Sequence, residues 1–123
     1  MTQPTAYVID DDDAVRDSIH MLLELRGYPV RSFASGVALF GAGRPNKHGC
    51  LIIDVDMPGM GGIELFDRLR GEGVTTPAIF MTGGLSAGKR AAMDRAGAVV
   101  LEKPFGGGEL VTCIEKALGR YQV

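Results

Sequence analysis

Leu51-Ile52-Ile53-Asp54 is the stretch whose reading decides the fold. Two of its three apolar residues are β-branched, which suits a strand buried on both faces. A carboxylate stands at its carboxyl end, and Met57-Pro58-Gly59-Met60-Gly61-Gly62 then blocks regular structure before the next helix. In open α/β sheets ligands bind beyond the carboxyl ends of the strands, so parallel neighbours would turn Asp54 toward a working surface. Taken alone, Asp54 reads more readily as a turn residue that ends a strand.

The flanking sequence supplies the neighbours. Upstream, Ala6 to Ile9 reads as a short buried strand running into Asp10, Asp11, Asp12 and Asp13. A helix is expected from near Asp13, with Val15, Ile19, Leu22 and Leu23 on one face and the acidic run at its positive end. Gly27 ends it, Tyr28 to Phe33 reads as a second strand, and Ser35 suits the N-cap of a short helix carrying Val37, Leu39 and Phe40. Gly41 to Gly49 reads as a surface loop.

Downstream, Gly62 to Arg70 reads as a helix with Ile63, Phe66 and Leu69 toward the core. Pro77 to Met81 is expected as the fourth strand, Ser86 to Ala96 as a helix capped by Gly97, and Ala98 to Leu101 as the fifth strand. The last helix carries Leu110, Val111, Ile114, Ala117 and Leu118 on one face. Gly106-Gly107-Gly108 replaces its usual capping residues and is expected to leave that turn loose. Five alternations of strand and helix, with near-continuous apolar strands, give an α/β domain: a parallel sheet with helices on both faces.

The chain of 123 residues, 46% hydrophobic, is long enough to bury a real core and reads as one domain over residues 1–123. A net charge of −2 argues against direct nucleic-acid binding by this domain. Cys50 and Cys113 lie in apolar stretches without metal-ligand spacing and read as buried free thiols. Neither a signal peptide nor an apolar run of membrane-spanning length stands in the sequence, so a soluble, cytoplasmic protein without membrane partners is expected.

In a parallel sheet all carboxyl ends share one edge. That edge then collects Asp10 and Asp11 after the first strand, Asp54 after the third, Thr82 after the fourth and Lys103 after the fifth. Three converging carboxylates repel, so either some are protonated or a hard cation sits among them. Mg²⁺ suits such a site, and a hydroxyl and an ammonium beside it are what a phosphoryl group needs. Singly, each residue has an ordinary reading: a capping acidic run, a turn threonine, a solvated lysine. Their joint placement, each at the end of a different strand, outweighs those readings.

On Val8-Ile9-Asp10-Asp11, Ile53-Asp54-Val55-Asp56-Met57-Pro58-Gly59, Met81-Thr82-Gly83 and Glu102-Lys103-Pro104-Phe105, the chain resembles the receiver domain of two-component response regulators, along essentially its whole length. It looks most like the FixJ-type receivers. The resemblance implies a doubly wound, flavodoxin-like sheet in the order 2-1-3-4-5. It implies that Asp54 accepts a phosphoryl group from a histidine kinase, while Asp10, Asp11, Asp54 and the backbone carbonyl of Asp56 hold Mg²⁺. Thr82 would hydrogen-bond the phosphoryl group, Lys103 would pair with one of its oxygens, and the Lys103–Pro104 peptide would be cis. Such a domain is not an enzyme beyond its own phosphorylation and dephosphorylation. The kinase is expected near the first helix, around Val15 and Ile19. The resemblance also implies a face formed by the fourth helix, fifth strand and fifth helix, with Lys89, Arg90 and Glu109 on it, through which family members commonly dimerise or contact an output module. The chain reads either as a stand-alone receiver or as the front of a longer regulator.

Three positions depart from the family pattern. Val100 stands where an aromatic is usual, and the fifth strand looks one residue short ahead of Lys103. Asp56 adds a carboxylate whose side chain is expected to face water, and Gly84 puts no side chain over the phosphoryl site. Two rival motifs are weaker. Gly83 to Lys89 fits most of a phosphate-binding loop, but Arg90 replaces the hydroxyl residue that would hold a metal. Asp54-Val55-Asp56 resembles the start of haloacid-dehalogenase-type phosphatases, although that motif normally opens its domain and carries Thr or Val where Met57 stands.

Overall fold

The computed structural model describes residues 3–84 and 87–120, and within the fourth helix it leaves the side chains of Ala87, Lys89 and Ala96 undescribed. The expected start of that helix at Ser86 and the middle of the Gly83-to-Lys89 motif, Leu85 and Ser86, therefore lie outside the described residues.

The elements alternate as β1 (Ala6–Ile9), α1 (Asp13–Leu25), β2 (Val30–Phe33), α2 (Gly36–Ala42), β3 (Cys50–Asp54), α3 (Gly62–Gly71), β4 (Ala78–Thr82), α4 (Ala87–Ala96), β5 (Val99–Glu102) and α5 (Gly107–Ala117). All strand pairings are parallel and the order is β2-β1-β3-β4-β5, as the resemblance implies. Reversal of the winding between β1 and β3 opens a crevice at their carboxyl ends, where this topology places ligands.

Strand alternation splits the core into two layers. Val8, Ile52, Ile79 and Leu101 face one way and meet Ile19 and Leu23 of α1 and Leu110 and Ile114 of α5. Ile9, Ile53 and Phe80 face the other way, against Leu39, Leu65, Phe66 and Met93 of α2, α3 and α4. The Phe66 and Phe80 rings meet edge-on with centroids 5.3 Å apart. Cys50 and Cys113 are free and buried in the first layer, and burial pushes the Cys50 thiol up to about 12, so it packs as a small apolar group.

Several boundaries differ from the sequence expectation, each for a local reason. β2 starts at Val30 because the Tyr28 amide donates to the Leu23 carbonyl (3.0 Å) and closes α1 instead of joining the sheet. β4 and β5 each begin and end one residue later than expected. The later ends make Thr82 and Glu102 a register pair at the edge. In α3 the fully buried stripe is Gly62, Leu65, Phe66 and Leu69, with Ile63 partly buried against the same layer, so Leu65 joins the expected residues. In α5 Cys113 takes the central place given to Val111.

The glycine turn before α5 is held. The Gly106 amide donates to the Glu109 carboxylate (3.1 Å), supplying the reciprocal half of a capping box. A Cβ on Gly107 would lie 2.9 Å from Leu22 Cδ1, so a side chain there would require Leu22 to shift. Among the described residues, no helix is long and apolar enough to cross a membrane.

Candidate functional site: an acidic crevice at the sheet edge

β1 ends in Asp10, which is wholly buried. Its backbone is fixed from both sides: its amide donates to the Phe33 carbonyl (3.1 Å) and its carbonyl accepts from Arg16 Nη1 (2.8 Å). Asp10 Oδ1 accepts from the Asp12 amide (2.9 Å), and Asp12 Oδ1 accepts from the Val15 amide, capping α1. The acidic run therefore divides its work. Asp12 starts the helix, Asp13 pairs with Arg16, and Asp10 and Asp11 are left at the crevice.

β3 delivers Asp54, 4% exposed, whose Oδ1 accepts from the Asp56 amide (3.1 Å). One carboxylate oxygen from each of Asp10, Asp11 and Asp54 falls within 4.8 Å of the others. From β5, Lys103 Nζ reaches Asp10 Oδ2 at 3.2 Å and Asp54 Oδ1 at 3.6 Å. The Lys103–Pro104 peptide is cis, and the Lys103 amide donates to the Thr82 carbonyl (2.8 Å).

The electrostatics follow from this crowding. Burial is the chief cause that pushes the Asp54 carboxyl up to about 6; the Asp10 and Asp11 charges add to it, while the Asp56 amide and Lys103 pull it back. Burial also works against the Lys103 ammonium, but Asp10 and Asp54 outweigh it and raise its pKa above the ordinary lysine value. Three carboxylates against one ammonium leave an excess of negative charge in an all-oxygen donor set. That excess and those donors fit a hard divalent cation such as Mg²⁺.

Asp10, Asp11, Asp54 and Lys103 thus come together. Thr82, buried at the end of β4, lies one position beyond Met81, the register partner of Asp54. Its hydroxyl donates to the Gly84 carbonyl (2.9 Å) and accepts from the Gly84 amide (3.2 Å). Asp56 departs from the expectation that its side chain simply faces water. Exposed as it is, its Oδ2 accepts from the Gly83 amide (3.1 Å) and lies 3.4 Å from the Thr82 hydroxyl. Val100 pairs with Phe80 and is half-buried; β5 has four residues, one fewer than β3 or β4, and its last residue, Glu102, directly precedes Lys103.

Two residues were not singled out from sequence. Arg16 anchors the Asp10 carbonyl, yet in sequence it reads as an ordinary exposed charge three residues after Asp13. Gly62 opens α3 directly beneath the Asp54 carbonyl, and a Cβ there would collide with that oxygen and lie 2.8 Å from Ile53 Cγ2. The paired glycines Gly61-Gly62 were its one signal, read only as a break.

The response regulator receiver domain family profile matches residues 6–115. The chain is 42% identical over 115 residues to the transcriptional regulatory protein FixJ of Azorhizobium caulinodans, covering 93% of this chain and 54% of that protein. It is 36% identical over 121 residues to the C4-dicarboxylate transport transcriptional regulatory protein DctR of Rhodobacter capsulatus, covering 96% and 61%. The chain spans about half to three fifths of the length of these relatives. Among solved structures, FixJ-N superposes with a TM-score of 0.86 at 31% identity, covering 100% of this chain and 99% of that one. The chemotaxis protein CheY4 of Vibrio cholerae gives 0.85 at 28% identity, covering 95% and 100%. With the profile spanning most of the sequence and the fold shared over its whole length, the chain belongs to the response regulator receiver domain family.

Proposed function

We propose that this domain is the phosphoacceptor of a two-component signalling system, with Asp54 as the residue modified. The observation that carries the reading is the buried Asp54 carboxylate at the end of β3, with Asp10 and Asp11 beside it and Lys103 at 3.6 Å. An Asp54 oxygen attacks the phosphorus of a phosphohistidine; the new P–O bond forms as the P–N bond breaks, and the imidazole leaves with a proton. Lys103 pairs with a phosphoryl oxygen and Thr82 donates its hydroxyl to another. Asp10, Asp11, Asp54 and the Asp56 carbonyl would hold Mg²⁺, which when bound would neutralise charge on the transferred group. The protein's contribution is positioning and preorganised charge, with the donor supplying the reactivity.

The donor is a histidine kinase. A groove of about 490 Å³ between α1 and the segment after β5 supports this, being lined by Ala14, Val15, Ser18, Ile19, Pro104 and Phe105 beside Lys103. Ile19 is 4% exposed and forms the groove's floor, so Val15 and Phe105 offer the apolar contact. A second copy of the domain docks on the α4-β5-α5 face, where Arg90 and Glu109 are exposed; the Lys89 side chain lies outside the described residues. The domain works in the cytoplasm, does not bind nucleic acid itself, and turns over no substrate beyond its own phosphoryl group.

The test is mass spectrometry after incubation with a small phosphodonor and Mg²⁺. One phosphoryl mass is expected on the wild type and none on Asp54→Asn. Labelling that persists in Asp54→Asn overturns the reading, and steady turnover of phosphate esters would favour the phosphatase alternative.

A further inference from the structure

We propose that the Asp56 carboxylate is a positioning residue that competes with the phosphoryl group: it occupies the Gly83 amide and so holds the Thr82-to-Gly84 segment in its unphosphorylated arrangement. The inference rests on the phosphoacceptor reading of Asp54 and adds a mechanism for how the modification is sensed.

The donors at this edge are few. A phosphoryl group brings close to two negative charges and three acceptor oxygens, which must be met by N–H and O–H groups near Asp54. The strand register puts Thr82 and Gly83 one and two positions past the residue opposite Asp54, at the same carboxyl edge. Their donors are already engaged. The Gly83 amide is given to Asp56 Oδ2 (3.1 Å), and the Thr82 hydroxyl proton goes to the Gly84 carbonyl at 2.9 Å in preference to Asp56 at 3.4 Å.

Asp56 is tied to the same turn as the phosphoacceptor, because its own amide donates to Asp54 Oδ1 (3.1 Å). Its carboxylate therefore sits where charge added to Asp54 is felt most directly. A phosphoryl oxygen and the Asp56 carboxylate cannot both take the one Gly83 proton, and as like charges they repel. Phosphorylation displaces Asp56 toward solvent, to which it is already exposed. The segment it held is then released, which lets Thr82 exchange its hydroxyl bonds with Gly84 for a phosphoryl oxygen. The arrangement gives the loop two states, one organised by Asp56 and the other by phospho-Asp54.

The experiment uses beryllium fluoride with Mg²⁺ as the phosphoryl analogue, titrated into wild type, Asp56→Ala and Asp56→Asn, with the Gly83 amide followed by ¹⁵N NMR. Asp56→Ala is expected to bind the analogue about tenfold more tightly, the scale of one charge-assisted hydrogen bond. In the unliganded protein its Gly83 amide should have moved toward the shift of the wild-type complex. Asp56→Asn removes the charge but keeps an acceptor oxygen, so it should fall between Asp56→Ala and wild type in both measurements. Equal gains for Asp56→Ala and Asp56→Asn with an unmoved Gly83 amide would reduce the effect to charge and overturn the latch. So would the absence of a gain in either. Should Asp56→Ala fail to fold, Asp56→Ser replaces it with the same expectation. Failure of the wild type to bind the analogue, or equal binding by Asp54→Asn, is a separate outcome that removes the phosphoacceptor reading and the latch with it.

Discussion

The centre of the sheet and its β5 edge are built differently. Every residue of β1, β3 and β4 is buried, whereas β5 is half-buried at Val99 and Val100 and exposed at Glu102. The helices follow suit. α3 sinks Gly62, Leu65, Phe66 and Leu69, while Met93 is the one fully buried side chain among those described in α4. Asp54 and its two acidic partners hang from the packed centre, which fixes their spacing. Thr82 closes β4 at the border of that centre, and Lys103 follows β5 on the thinner side. On the proposed function, rigid placement would serve the chemistry and sparse packing its transmission.

That contrast breaks if the two regions prove equally costly to disturb. Phe80→Ala removes a fully buried ring that meets Phe66, and a loss of about 3–5 kcal/mol in urea denaturation is expected. Val100→Ala, its register partner on β5, should cost roughly 1 kcal/mol or less. Equal losses would show that β5 is as deeply integrated as β4. Next in size, Gly62→Ala forces a methyl against the Asp54 carbonyl, and overpacking of this kind costs about 1–3 kcal/mol. Because relief requires β3 and α3 to part beneath Asp54, Mg²⁺ affinity should fall together with stability; calorimetric titration checks this.

The same contrast explains what the sequence disclosed. Leu51-Ile52-Ile53 and Ile79-Phe80-Met81 are continuous apolar runs because both faces are covered, and their ends were readable to within a residue. The crevice residues Asp10, Asp11, Asp54 and Thr82 were legible for that reason, since they stand at the ends of buried runs, while Lys103 was legible from its Glu102-Lys103-Pro104-Phe105 motif. β2 and β5 are edge strands with weaker alternation, and their limits depend on backbone bonds between distant segments, such as the Ala6 amide to the Pro29 carbonyl, that no local pattern encodes. Long-range contacts were illegible for the same cause. Gly107 against Leu22, Gly62 against Asp54 and Asp56 against Gly83 each join segments that meet only after folding.

Asp54→Asn tests whether the packed centre carries an electrostatic cost for its function. The free carboxyl titrates near 3.8 and the folded one at about 6, so the native state holds the Asp54 proton more tightly than the unfolded chain. The cost of burying the ionised form is therefore present above pH 6 and fades as pH falls from 6 toward 4. Without Mg²⁺, Asp54→Asn should be more stable than wild type by about 1–2 kcal/mol at pH 7.5, allowing for solvent in the crevice. The advantage should shrink on acidification and on addition of Mg²⁺ to the wild type. A variant less stable than wild type at pH 7.5 would show that Asp54 is held by favourable contacts rather than against repulsion.

The smallest effect is expected at Val100, and it sharpens the comparison most. Val100 stands on the half-buried edge strand and packs beside Phe80 in the layer of α3 and α4, so Val100→Phe puts a ring at the border of that layer. Its stability should change by less than about 1 kcal/mol. Val100 makes no hydrogen bond to Asp54, Lys103 or Thr82 through its apolar side chain, so the rate of phosphorylation by a small donor should stay within about twofold of wild type, a span of roughly 0.4 kcal/mol in barrier height. Any consequence should instead appear in self-association after phosphorylation, measured by light scattering, because the new ring enlarges the apolar surface of the face proposed to dock a second copy. A tenfold change in phosphorylation rate would mean that β5 reports directly on the crevice, and that the division between a fixed chemical centre and an adaptable edge is drawn in the wrong place.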